Sequence, residues 1–181
     1  MDLTLIGSLE HWHDFYTLTG SASATLVGLM FVAVSISDGA FTHQHQMGIR
    51  AFLSPTVVHF SAILIVCLIS TLPDETWKWC SFLLVITGAI GLGYCVLLWR
   101  RMIHHGFMGT IDAIDRFWYA QLPIVSYLLI LVAGIGLYRH AVISLDMLAF
   151  ALIALLLIGL RNSWDMTLWI LDRRLQKNTD Q

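Results

Sequence analysis

Residues 15–37 read FYTLTGSASATLVGLMFVAVSIS, without a single charged side chain. An α-helix rises ~1.5 Å per residue, so a bilayer core of ~30 Å is crossed by ~20 apolar residues. On a helical projection Thr17, Gly20, Ser21, Ala24, Thr25, Gly28 and Ser35 share one face, interrupted by Phe31 and Val32. Leu26, Val27, Leu29, Met30, Val34 and Ile36 fall on the other side. A face of small, weakly polar residues suits close approach, either to another helix or to something passing along it. Gly20, Ser21, Ala24, Thr25, Gly28 and Ser35 are therefore candidates for helix packing or for lining a path.

The rest of the chain agrees with a membrane setting. Of its 181 residues, 57% are hydrophobic and only 12% charged, against ~25% charged in a soluble domain. Mean hydropathy is +0.75. A net charge of −2 provides no basic patch for phosphates and argues against nucleic acid as a partner. Cys67, Cys80 and Cys95 all lie in apolar runs and read as packing residues rather than a disulfide framework. The first residues lack the basic segment of a cleavable signal peptide, so the first apolar helix is expected to remain in place.

Hydropathy and turn residues predict an all-α integral membrane protein, a single transmembrane domain over residues 1–181. Five spans are expected, at about residues 15–37, 51–72, 77–99, 118–138 and 145–171. Asp14 is placed to cap the first and Ser144 the fifth. Pro55 fits the first turn of the second span, and Pro73 ends it. Gly88, Ala89, Gly91 and Gly93 predict a second region of close helix contact. Residues from Ile111 onward read as an amphipathic turn at the interface, with Pro123 bending its junction to the fourth span. Arg139 and His140 mark a tight turn.

Five spans put the termini on opposite sides. Arg50, Arg100, Arg101, Arg116, Arg161, Arg173, Arg174 and Lys177 then share one side, and Lys78 and Arg139 the other. Lys and Arg stay with the cytoplasm, so the N-terminus is expected outside and the C-terminus inside.

That orientation puts Thr25, His59, Thr87 and Ser126 near the bilayer midplane. A polar layer there is either an interhelical clasp or the lining of a wet path; the hydroxyls can also satisfy themselves on the i−4 carbonyl. His59 needs a partner, because an imidazole in hydrocarbon is costly. Arg161 and Asp165, four apart in the run RNSWD, can pair on one helix face near the inner edge. They either snorkel to the headgroups or close the cytoplasmic end of a cavity. His43, His45, His104 and His105 are weak candidates for a metal or pH-sensing cluster in the inner loops. No phosphate-binding glycine loop, His-Glu-x-x-His or Gly-x-Ser-x-Gly occurs, so neither an enzyme nor a cofactor is expected.

DFYTLTGSASATLVGLMFVAVSIS, residues 14–37, resembles the first span of a group of small, uncharacterised bacterial multi-span integral membrane proteins. These carry an aromatic pair, a Gly/Ala/Ser/Thr run and a GLxFVAVS ending, and RNSWD at residues 161–165 is similar to theirs as well. The resemblance implies a bacterial inner (cell) membrane and no particular activity. The expected function is non-enzymatic: a lipid-embedded homo-oligomer forming a channel or passage for ions or small solutes. A scaffold or regulatory subunit bound to a second membrane protein is the alternative, and a proton-coupled transporter using His59 a third.

Overall fold

A computed structural model describes residues 3–36, 46–72, 77–104 and 117–179. Those residues form α1 (Leu3–Ile36), α2 (Gln46–Ser70), α3 (Trp77–His104), a π turn (Phe117–Gln121) running directly into α4 (Leu122–Tyr138), and α5 (Ile143–Thr179). All regular structure among them is helical, as expected where each backbone N–H and C=O in lipid must be satisfied within its own segment.

Among the described residues, four helices are long and apolar enough to cross a membrane, over Trp12–Ala33, Trp77–Arg100, Phe117–Tyr138 and Ile143–Asp165. In α2 the described apolar stretch covers Pro55–Ser70. Large apolar side chains face outward on every side of the bundle: Phe31 is 64% exposed, Ile90 69%, Phe150 69% and Trp164 63%. Water would not tolerate that surface over so much of a chain; lipid tails do.

Helices α2, α3, α4 and α5 form a ring: α3 packs along α4, α4 along α5, α5 along α2, and α2 closes on α3. Helix α1 stands outside it, laid against α2 with a small contact to α5. Lipid gives helices no hydrophobic drive toward one another, so interdigitation and small residues set these contacts. Along the α3–α4 seam Gly88 meets the Leu131 backbone and Gly134 the Val85 backbone, and added Cβ atoms would lie 2.7 Å and 2.9 Å from the respective nitrogens. Gly91 lies against the Tyr127 ring. Gly93 and Ala89, expected in the same contact, are exposed instead. The centre of the ring is filled by Phe60, Ile63, Leu84, Tyr127, Ile130, Leu152, Leu155 and Ile158.

Two expected caps fall inside helices. Helix α1 starts at Leu3, so Asp14 sits where no orphan N–H needs a carboxylate. Helix α5 starts at Ile143, one residue before Ser144, which is buried against Gly136. The turn between α4 and α5 is tight, with Arg139 N–H and Ala141 N–H both donating to the Gly136 carbonyl at 3.0 Å. His140 takes φ 60° there, the left-handed conformation that ends many helices. Its ring lies 4.4 Å from that of Trp77, tying the start of α3 to this turn. Pro123 falls in the first turn of α4, directly after the π turn. A proline offers no N–H to the preceding turn and its ring crowds it, and a widened turn accommodates both.

Candidate functional site

The small-residue face of α1 is turned mostly away from the chain's own core. Tyr16, Thr19, Gly20 and Ser23 are buried against the ring, whereas Ser21, Ala24, Thr25, Gly28 and Ser35 are exposed. Only the Gly20 edge packs, where an added Cβ would come within 2.9 Å of Cys67 Cβ. At Gly28 nothing lies within 4 Å of that position. Three hydroxyls on the face close on their own helix: Ser21 donates to the Thr17 carbonyl at 2.8 Å, Thr25 to the Ser21 carbonyl at 2.9 Å and Ser35 to the Phe31 carbonyl at 2.9 Å. An open groove of about 270 Å³ runs beside it, between Thr17, Gly20, Ser21 and Ala24 of α1 and Leu64, Cys67 and Leu68 of α2.

What anchors α1 is a different pair of hydroxyls. Ser23 donates to the Phe60 carbonyl of α2 at 2.7 Å, and Tyr16 to the Leu145 carbonyl of α5 at 3.4 Å. Both side chains are buried. Phe60 is itself held by Gly159 of α5, where a Cβ would come 2.5 Å from the ring. Ser23 thus ties α1 to a residue of α2 that packs on α5. In the sequence it is one more small residue in a run of them, and only the helix beside it distinguishes it from Ser21.

At mid-bundle, of the four polar residues expected at one depth, three keep to themselves. Thr25, Thr87 and Ser126 donate to the carbonyls of Ser21, Leu83 and Leu122, each on its own helix. His59 reaches across: its Nδ1 lies 3.0 Å from the Tyr127 hydroxyl of α4, and the two rings are 5.7 Å apart. His59 and Tyr127 are 2% and 0% exposed. A neutral imidazole has one donor and one acceptor nitrogen, and a phenol serves either. The sequence gives no sign of Tyr127 as this partner, since a residue next to Ser126 stands ~100° round the helix from it.

The third polar group lies at the end of the bundle opposite the α4–α5 turn. Arg161 and Asp165 of α5 pair at 3.8 Å, each side chain about one-third exposed (34% and 33%). Both also reach the π turn. The Arg161 guanidinium lies over the Trp118 ring, 5.1 Å from its centroid, and the Tyr119 hydroxyl donates to Asp165 Oδ2 at 2.5 Å. A cation over indole and a phenol on a carboxylate are each favourable in a poorly solvated setting. Asn162, between the two charged residues in sequence, is 3% exposed, and its Oδ1 has no hydrogen-bond partner. Sequence spacing identifies the Arg161–Asp165 pair; it gives no sign of Trp118, Tyr119 or the buried amide. His43, His45 and His105 lie outside the described residues, and His104 is placed only as the last residue of α3.

Apolar helices of this length, packed on one another and apolar outward, define the chain as an all-α, multi-pass integral membrane protein. Comparison with protein-family models, with curated proteins and with solved structures finds no match in any of the three.

Proposed function

We propose that the chain is a non-enzymatic membrane protein that self-associates in a bacterial cell membrane, its copies together forming a passage for ions or small solutes. The observation that carries this reading is the placing of α1. The ring is filled by large side chains such as Tyr127, Phe60 and Ile130, so a path through one copy has no support. The weakly polar stripe from Ser21 to Ser35 instead faces outward on a helix held from one side. A second copy laid on that stripe brings small residues into contact, and the hydroxyl edge near Thr25 borders the path.

Five spans, with the N-terminus outside and the C-terminus cytoplasmic, complete the reading. The partition of Lys and Arg supports it, and it puts the Arg161–Asp165 end of the bundle at the cytoplasm.

A scaffold or regulatory subunit is the competing reading, favoured by one observation: Ser21, Thr25 and Ser35 all satisfy their hydroxyls on their own backbone. Such a face needs no water and suits the backbone of another membrane protein. Labelling decides between them. Thr25→Cys, with the native cysteines replaced, is treated with a membrane-impermeant thiol reagent, and Leu29→Cys serves as the lipid-facing control. Reaction at position 25 alone, in a particle of several identical subunits, supports the passage. An inert position 25, in a particle that carries a second protein, sinks it in favour of the scaffold.

A further inference from the structure

The π turn holds α5 at Arg161 and Asp165 through two neighbouring contacts. Trp118 carries the Arg161 guanidinium and Tyr119 donates to the Asp165 carboxylate. One side of the join is therefore a widened turn just ahead of a proline, two features at which helices bend. The other side is a continuous α-helix. Both contacts are made by side-chain tips, and Arg161 and Asp165 remain one-third exposed, so water can replace either contact at modest cost.

Asn162 lies behind this join. At ~100° per residue it stands ~60° from Asp165, which meets the π turn, and ~60° on the other side from Gly159, which meets α2. It occupies the junction of α2, α5 and the entry to α4. A buried amide oxygen with no donor is costly, and the cost is relieved when water arrives. The charged pair on either side of it in sequence is one-third exposed and so open to water. We infer that the π turn is a hinge, that Trp118 on Arg161 and Tyr119 on Asp165 are its latch, and that unlatching admits water to Asn162. This inference stands apart from the proposed passage between copies, since it concerns one chain and none of its residues lies on α1. It rests on the proposed orientation only for the side from which the labelling reagent is added, and hydrogen exchange is independent of that.

The test uses the full chain in inside-out membrane vesicles. Asn162→Cys is treated with a sulfonated, membrane-impermeant maleimide, and reaction at that position is read by mass spectrometry, leaving the native cysteines in place. The rate is compared with the latch intact and with Trp118→Leu and Tyr119→Phe combined. Labelling at least ten-fold faster in the unlatched variant is expected; an unchanged rate overturns the inference. Because Asn162→Cys can itself disturb packing, amide hydrogen exchange is measured as well, with Asn162 in place. Unlatching is expected to speed exchange over residues 158–165 about ten-fold and to leave residues 145–156 of the same helix as they were. A uniform rise along α5, or no rise, means that the contacts are ordinary packing and no hinge exists.

Discussion

His59 Nδ1 lies 3.0 Å from the Tyr127 hydroxyl, and this buried contact joins α2 to α4 across the filled centre of the ring. Tyr127 is fixed from behind by Gly91 of α3, so three helices converge on one hydrogen bond. Removing the hydroxyl with Tyr127→Phe leaves a buried ring nitrogen without its partner, a loss of about 1–3 kcal/mol. Interhelical hydrogen bonds in membranes average only ~0.6 kcal/mol by double-mutant cycles, because the separated helices find other partners. Unfolding in detergent should therefore show a clear cost for Tyr127→Phe and a smaller further cost when His59→Leu is added. Strictly additive single and double variants would mean that the two groups do not interact.

Gly91 and Gly93, two residues apart on α3, should respond in opposite directions. A Cβ at Gly91 runs into the Tyr127 ring, whereas at Gly93 nothing lies within 4 Å. Overpacking of that kind costs about 1–3 kcal/mol, so Gly91→Ala is expected to lower the unfolding midpoint. Gly93→Ala is expected to hold or raise it, since Ala is favoured over Gly in a helix by up to about 1 kcal/mol. Equal effects at both positions would contradict the packing of α3 on α4.

Along α1 the same contrast separates folding from association. Gly20→Ile places bulk against Cys67 and is expected to destabilise the chain itself. Gly28→Ile enters open space within the chain and is expected to leave its unfolding midpoint within about 0.5 kcal/mol, the usual range for a surface change. If copies meet on the small face, the mass of the detergent-solubilised particle falls with Gly28→Ile. An unchanged mass would remove α1 from the subunit contact.

Span number is open to a direct measurement. Reporters fused beside Asp2 and after Gln181 are expected on opposite faces of the membrane, as five spans require, with Asp2 outside, as the partition of Lys and Arg directs. Reporters on the same face would mean an even number of crossings.

The sequence by itself determined the class and the rough positions of the helices, because the cost of exposing backbone and charge to hydrocarbon is read residue by residue along a segment. It also determined that Arg161 and Asp165 share a face, since spacing within one helix fixes that relationship. Which of two similar small residues matters was decided only by packing. Ser21 and Ser23 have near-identical neighbours in the chain, yet Ser23 alone reaches the Phe60 carbonyl, because α2 lies on that side. Asp14 and Ser144 have cap chemistry but lost that role once the helices ran past them, a matter of where the chain turns rather than of the residue. The partner of His59 and the hold of Trp118 and Tyr119 on α5 were likewise beyond reach of the sequence. Both are contacts between helices, and their energy depends on which helices are neighbours, a relationship set by shape fit along the whole seam rather than by any local pattern.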